Sequence, residues 1–216
     1  MKLQPLSLET DESATGARHY LTPIGRLPSV TTVLRATRHE LAPRDVVESV
    51  QDKQARARGT AVHQEIERYL LTQREPPGAS SFFVSVRGFL RRMDSVALLE
   101  GAVWHESGFA GRLDCVAAVD GVLSVIDWKT ARAPRAAAWV GDDHLQVAAY
   151  TAAVASRYGI TIRRGFVVVA LCDRPAQVFE ARSLDASYQA FLRRLAAFHA
   201  RHERSPQAAS TSAPRT

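Results

Sequence analysis

A tight turn between two apolar segments restricts how this chain can fold. Asp120-Gly121 is flanked by apolar residues on both sides, which is the strongest short-range signal for a β-hairpin. If these two residues form the turn, counting outward places Asp114 opposite Asp127. Such paired side chains lie about 4.5–5.5 Å apart at Cβ, and like charges there repel. Lys129 lies two residues beyond Asp127 and points to the same face. We therefore expect a metal ion between the carboxylates, with a lysine beside it.

The alternative is that both carboxylates are ordinary strand-end side chains. Asp114 would then pair with Arg112, and Asp127 with Lys129. The metal interpretation depends on the turn, because a loop one residue longer would move one carboxylate to the opposite face. Two carboxylates in register inside otherwise apolar strands favour the metal site.

The composition is that of a globular protein. The chain has 216 residues, of which 46% are hydrophobic and 23% charged, enough for one well-filled core. Its net charge of +6 favours a polyanionic partner. An arginine- and alanine-rich composition inherited from a GC-rich genome explains the charge equally well. No apolar run approaches the ~20 residues of a membrane span. With two cysteines and no secretory or transit signal, we expect no membrane association and a cytoplasmic location.

The periodicity of the chain predicts alternating helices and strands in a single domain over 18–204. Residues 1–17 are expected to form a loose leader, and 205–216 a disordered tail. The predicted helices are 30–36, 43–73 with an interruption at 58–59, 82–96, 142–157 and one closing at about 202. The predicted strands are 18–21, 24–27, 101–106, 109–119, 122–129, 162–171 and 176–181.

Two further groups of side chains could bind ligands. Ser29, Thr31 and Thr32 bring hydroxyls and free backbone N–H groups to a predicted helix start, which suits a phosphate. A plain N-cap at Ser29 is the alternative. His63 lies one turn after Gly59, where the missing side chain would let another backbone approach closely.

Four motifs occur in a meaningful order along the chain: Gly59-x-x-x-His63, Glu106 with Gly111-x-x-Asp114, Asp127-x-Lys129 and Gln146-x-x-x-Tyr150. With the predicted elements between them, they resemble the PD-(D/E)XK nuclease superfamily and, within it, the RecB-like exonuclease branch. Wider similarity, including residues 28–32 and 126–130, extends to the mitochondrial genome maintenance exonucleases and their bacterial and phage relatives. The resemblance covers about residues 20–195. It implies an α/β fold with a central mixed sheet flanked by helices (α-β-β-β-α-β) and an N-terminal helical extension.

The resemblance also implies roles for single residues. A divalent ion would be held by His63, Asp114, Asp127 and the backbone carbonyl of Trp128. Lys129 would orient and activate the attacking water, and Glu106 would be an auxiliary carboxylate. The implied catalytic residues are Asp114, Asp127, Lys129, Glu106, Gln146 and Tyr150. Hard oxygen ligands with one imidazole suit Mg²⁺ or Mn²⁺, as one ion or two. The cation would lower the pKa of Lys129.

The function implied is that of a metal-dependent DNA exonuclease, bacterial or phage-encoded, in DNA repair, recombination or phage replication. Its substrate would be single-stranded DNA or frayed ends. Alternatives are a structure-specific endonuclease on the same scaffold and a catalytically silent DNA-binding subunit. A helicase or recombination partner and the oligomeric state are left open.

DNA contacts are expected from side chains around the proposed centre: Ser29, Thr31, Thr32, Arg112, Gln146 and Tyr150. Further candidates are the basic residues Lys53, Arg56 and Arg58 and the stacking surfaces Trp128, Trp139 and Tyr150. For the basic residues a solvated helix face is an equal alternative. For the two tryptophans a place in the core is the alternative.

Overall fold

Two β-sheets and five α-helices make up the described part of this computed structural model, residues 1–13, 16–38, 50–181 and 183–203. The strands are β1 (Thr10–Glu12), β2 (Arg18–Thr22), β3 (Gly25–Pro28), β4 (Met93–His105), β5 (Phe109–Val119), β6 (Val122–Ala131), β7 (Arg164–Leu171) and β8 (Gln177–Glu180). The helices are α1 (Val30–Ala36), α2 (Val50–Thr72), α3 (Ser81–Leu90), α4 (Gly141–Tyr158) and α5 (Leu184–Glu203). Within those ranges, no helix combines the length and the apolar character needed to cross a membrane.

The larger sheet has the strand order β4-β5-β6-β7-β8. All neighbours are antiparallel except β6 and β7, which are parallel and are joined through α4. A parallel pair needs such a crossover, because its strands start at the same edge. The prediction of a mixed central sheet in an α-β-β-β-α-β order is confirmed.

The Asp120-Gly121 turn joins β5 and β6 as predicted. Both residues have positive φ angles, +49° and +77°, which is the backbone of a type I′ hairpin. Val119 pairs with Val122, and the pairing runs on to the last pair of the ladder, Cys115–Ile126. A longer turn is therefore excluded, and the register places Asp114 opposite Asp127.

Helices cover both faces of the large sheet. On one face α2 and α3 bury Val62, Ile66 and Phe83 against apolar side chains of the sheet. On the other face α1, α4 and α5 form a second apolar cluster that includes Val147 and Phe191. Burial on both sides explains why the strands are apolar almost throughout.

The N-terminal part differs from the prediction. The described residues of the predicted leader, 1–13 and 16–17, are held in the fold, because β1 lies within them, Leu3 N donates to Ala97 O (2.8 Å) and Leu6 pairs with Ala102. The extension is mainly a three-stranded sheet, with α1 as its helical part. Its order comes from packing, since Leu6 lies against a cluster that contains Tyr20 and Trp104. The limits of the nuclease domain stay a prediction, and the predicted tail lies outside the described residues.

Two helix predictions were wrong in detail. α2 runs without interruption through residues 58–59, while its predicted beginning at 43–49 lies outside the described residues. The helix predicted over 82–96 ends at Leu90, and β4 already begins at Met93. Periodicity alone does not separate a short apolar strand from a helix, so the pairing of Val96 and Leu98 with β5 was missed.

Candidate metal centre

Three carboxylates lie side by side on adjacent strands. The pairs Leu99–Cys115 and Gly101–Leu113 place Glu100 opposite Asp114, which itself faces Asp127 across the next strand pair. Beyond Cys115–Ile126 the ladder of β5 and β6 ends, and Asp114 Oδ2 accepts a hydrogen bond from Trp128 N (2.7 Å). The Asp114 carboxylate therefore takes the place of a backbone partner where the two strands separate.

α2 brings a histidine to these carboxylates. His63 Nδ1 lies 3.6 Å from Asp114 Oδ1 and 4.0 Å from Glu100 Oε1. His63 Nε2 is in hydrogen-bond contact with the carbonyl oxygen of Trp128 (2.9 Å). Ligand atoms of His63, Glu100 and Asp114 all lie within 4.8 Å of one another, which is close enough to share a cation.

Asp127 and Lys129 are held by a residue of α4. Gln146 Nε2 donates to Asp127 Oδ1 (2.8 Å), and Gln146 Oε1 accepts from Lys129 Nζ (3.3 Å). Lys129 Nζ lies 2.7 Å from Asp127 Oδ2 and 3.8 Å from Asp143. One amide thus sets the positions of the carboxylate and the ammonium together. The ion pair expected for Asp127 in the alternative interpretation is present, whereas Asp114 contacts His63 and Trp128.

Burial shifts the ionisation of these groups. Desolvation raises the pKa of Asp114 and of Glu100 above their ordinary values. It raises the pKa of Asp127 to about 6, against the opposing effect of the Lys129 ammonium. For Lys129, burial acts to lower the pKa, but Asp127, Asp143 and Asp114 outweigh it and the pKa is raised. A cation bound at the carboxylates would instead lower the pKa of Lys129, which is the effect expected from the sequence.

The donor set fits a divalent ion. Asp127 is 1% exposed, and the Lys129 ammonium 2.7 Å from its Oδ2 offsets only part of the effect of burial, since the pKa of the carboxyl is still raised to about 6. A buried carboxylate oxygen left in this way carries a desolvation cost that a bound cation would offset. Carboxylate oxygens, one imidazole and one backbone carbonyl are suitable ligands for Mg²⁺ or Mn²⁺.

Gly111 and Tyr150 pack directly against each other beside the centre. A Cβ atom at Gly111 would lie 2.6 Å from Tyr150 Cε1, so only glycine fits beneath the ring. Tyr150 is 3% exposed and Gln146 is buried as well. Both residues therefore support the site from the interior, and their burial argues against the predicted DNA contacts. This packing explains the glycine of the Gly111-x-x-Asp114 motif.

Glu106 does not lie at the centre. It follows β4 in a turn, six positions along the chain from Glu100, which corresponds to about 20 Å of extended strand. Its carboxylate pairs with Arg157 instead. Glu100 was missed because it fell between the predicted helix 82–96 and the predicted strand 101–106. Counting outward from the pair His105–Phe109 would have placed Glu100 opposite Asp114. Glu100 also has a φ of +48°, a conformation that residues other than glycine rarely adopt.

The hydroxyl cluster at the start of α1 acts as a helix cap. Ser29 Oγ accepts from Thr32 N (3.0 Å) and contacts Thr31 Oγ1 (3.1 Å). Thr32 Oγ1 in turn accepts from Arg18 N (3.0 Å), and both Ser29 and Thr32 are buried. These polar groups already form hydrogen bonds with one another and with Arg18 N. The structure therefore favours the plain N-cap over the predicted phosphate-binding site.

An open pocket of about 370 Å³ lies next to the carboxylates and is lined by Gly59, Thr60, His63, Gln64, Glu67, Glu100 and Arg112. A Cβ at Gly59 would meet only Thr130 Oγ1 at 3.8 Å, so the close backbone approach expected there is absent from this part of the described chain. Arg112 is exposed at the pocket wall. A second pocket of about 470 Å³ continues along α2 and includes Lys53 and Arg56.

Comparison with known proteins places this geometry in a family. The sequence profile of the PD-(D/E)XK nuclease superfamily matches residues 34–211. The chain belongs to this superfamily. That match covers all of the strands that carry Glu100, Asp114 and Asp127, so the predicted family is confirmed.

Relatives of the chain include mitochondrial genome maintenance exonuclease 1 of three vertebrates. The human protein is 40% identical over 98 residues, which is 44% of this chain and 28% of that protein. The Xenopus tropicalis protein is 35% identical over 126 residues, covering 54% and 36%. The mouse protein is 36% identical over 124 residues, covering 53% and 37%. The matched segment thus spans about a third of the length of these relatives.

Solved structures show weaker similarity. The crystal structure of SSO0001 matches with a TM-score of 0.44 and 17% identity, covering 83% of this chain and 77% of that chain. An exonuclease candidate from Eubacterium rectale matches with a TM-score of 0.45 and 12% identity, covering 73% and 76%.

Proposed function

We propose that this chain is a metal-dependent DNA exonuclease that hydrolyses phosphodiester bonds at single strands or frayed ends. The observation that carries the proposal is the convergence of Glu100, Asp114 and Asp127 from three adjacent strands beside Lys129. The exonuclease names of the vertebrate relatives support the choice of reaction. The role in DNA repair, recombination or phage replication and the cytoplasmic location are part of the same proposal.

The site would hold one or two divalent ions, either Mg²⁺ or Mn²⁺. The ligands would be His63, Glu100, Asp114, Asp127 and the Trp128 carbonyl. When bound, such an ion supplies an acidified water and a positive charge against the phosphate. His63 Nδ1 faces Asp114 and Glu100, while its Nε2 contacts the Trp128 carbonyl and so fixes the position of the imidazole.

Lys129 would act on the water or the phosphate through hydrogen bonds. As an ammonium, Nζ can donate either to the attacking water or to a phosphate oxygen. Gln146 limits the ammonium to one side of Asp127, because its Oε1 accepts from Nζ while its Nε2 holds Oδ1. Arg112, exposed at the pocket wall, is the candidate for binding a neighbouring phosphate.

The proposal is tested with end-labelled linear and circular DNA, each single- and double-stranded, in Mg²⁺, Mn²⁺ or chelator. We expect cleavage of linear single strands only with an ion present, and intact circles. Asp127→Ala should reduce the rate by about 100-fold or more, since removal of ion-based charge stabilisation costs several kcal/mol.

Each other outcome corresponds to a different function. Cleavage of circular single strands would replace the exonuclease with an endonuclease. No cleavage of any DNA, with binding retained, would indicate a silent DNA-binding subunit. Equal cleavage by the wild type and Asp127→Ala would remove the proposed centre.

A further inference from the structure

One tryptophan lies on the surface close to the candidate centre. Trp139 is 73% exposed, whereas Trp104 and Trp128 are buried in apolar clusters. The core position considered for Trp139 from the sequence is therefore wrong, and that considered for Trp128 is correct. An exposed indole offers a large flat apolar surface that a ligand can cover.

The segment that carries Trp139 is held firmly in place. The Gln177 side chain accepts from Arg135 N (2.7 Å) and donates to Arg135 O (3.0 Å), so both backbone groups of Arg135 are fixed. Trp139 itself lies in a 3₁₀ turn, Ala137–Val140, which leads directly into α4, and Val140 is fully buried. The backbone on both sides of the exposed ring is thus anchored, which lowers the entropic cost of ordering this segment when a partner binds.

Contacts connect this turn to the candidate centre. Arg135 Nη1 lies 3.1 Å from Asp143, and Asp143 lies 3.8 Å from Lys129 Nζ. Trp139 precedes Asp143 by four residues, in the 3₁₀ turn that leads into α4. One helical turn corresponds to about 6–8 Å of axial distance between Trp139 and Asp143. The backbone of Trp139 therefore lies about one helical turn from Asp143, which contacts Lys129 of the candidate centre.

We propose that Trp139 stacks against an unpaired nucleobase of the strand whose phosphate lies at the carboxylates. This inference rests on the proposed function and assigns a selectivity residue to it. Every base has a flat aromatic face, so such stacking tolerates any sequence. A base in a duplex is paired and stacked on its neighbours, so only single strands or frayed ends can offer it. Trp139 would thereby favour single strands without reading their sequence.

Intrinsic fluorescence tests the contact independently of cleavage. The full chain is titrated in Mg²⁺ with a short phosphorothioate oligothymidylate, which resists hydrolysis. Because Trp139 is exposed and the other two tryptophans are buried, we expect quenching in the wild type and its loss in Trp139→Phe. Trp139→Ala should weaken binding, followed by anisotropy of a labelled strand, by about 5- to 150-fold, the range of one lost base–aromatic stack. Trp139→Phe should keep most of the affinity.

Abasic strands separate stacking from a general loss of structure. With the same strand lacking its bases, the wild type and Trp139→Ala should bind equally. Leu71→Ala, which removes another exposed apolar side chain at the far end of α2, is the matched control and should bind all strands as the wild type does.

Three results would overturn the inference. They are unchanged quenching in Trp139→Phe, unchanged affinity in Trp139→Ala, or an equal loss of affinity on abasic and normal strands. If one of these results is obtained and the wild type still cleaves DNA, the proposed function stands and only the stacking contact is lost. A wild type that neither binds nor cleaves DNA would remove both.

Discussion

Glu100 and Glu106 show how much depends on the position of one carboxylate. Both follow apolar stretches and both precede a turn or a glycine in the sequence, yet only Glu100 lies beside Asp114. Glu106 is exposed and paired with Arg157. The Glu106 in the predicted motif is therefore replaced by Glu100 in the observed centre.

Exchanging each carboxylate for its amide tests this assignment. Glu100→Gln should weaken Mn²⁺ binding by about 10- to 100-fold, the usual effect of changing a group at or next to a metal. Glu106→Gln has the same chemistry at an exposed position and should leave Mn²⁺ affinity unchanged. Calorimetric titration of both variants gives the two affinities, and the opposite ranking would return the role to Glu106.

Ion binding should depend on pH through Asp127. Its pKa of about 6 in the folded chain exceeds the ordinary value of 3.8, so below about pH 6 a proton competes with the ion. We expect the apparent affinity for Mn²⁺ to fall by about tenfold per pH unit below that point. Calorimetric titration across this range checks the slope, and a flat profile would contradict it.

The same shift has a consequence without a metal ion. A carboxyl whose folded pKa is raised stabilises the fold below its unfolded pKa, and this stability is lost as pH rises through the folded pKa. In chelator, the free energy of unfolding should therefore fall as pH rises from 3.8 to about 6, because Asp127 ionises in the folded chain. Thermal unfolding of Asp127→Asn, which cannot ionise, should lack this part of the pH dependence.

At the level of elements, the two glycines of the predicted motifs have different roles. Gly111 lies under Tyr150, where an added Cβ would be 2.6 Å from the ring, whereas Gly59 lies in α2 with only Thr130 Oγ1 at 3.8 Å. Gly111→Ala should therefore destabilise the fold by about 1–3 kcal/mol through overpacking. Gly59→Ala should stabilise it by about 0.5–1 kcal/mol, because alanine loses less entropy in a helix.

Chemical denaturation of both variants provides the comparison. The order Gly59→Ala above the wild type above Gly111→Ala is expected. A neutral Gly111→Ala would mean that the Tyr150 ring moves freely and does not brace β5.

The sequence predicted those elements whose signals are local. The Asp120-Gly121 turn gave the register of β5 and β6, and Ser29 gave the start of α1. The beginning of β4 could not be predicted, because its short apolar run after Leu90 has no turn signal and no clear period. Losing that strand also hid Glu100, since its position depends on pairing with β5.

At the scale of the whole molecule, the candidate centre is assembled from distant parts of the chain. α2 supplies His63, three strands supply the carboxylates, and α4 supplies Gln146. The sequence predicted which residue types meet but not how α2 lies over β6, which follows from burial of Val62 and Ile66. The segment that precedes Trp139 is likewise held by a distant residue, Gln177, whose side chain anchors the backbone of Arg135.

The most direct test of the centre is anomalous diffraction from crystals soaked in Mn²⁺. We expect a peak within about 2.5 Å of oxygens from Asp114 and at least one of Glu100 and Asp127, with His63 beside it, as oxygen-coordinated divalent ions require. A peak located elsewhere, or none at an ion concentration that supports cleavage, would contradict the shared metal centre.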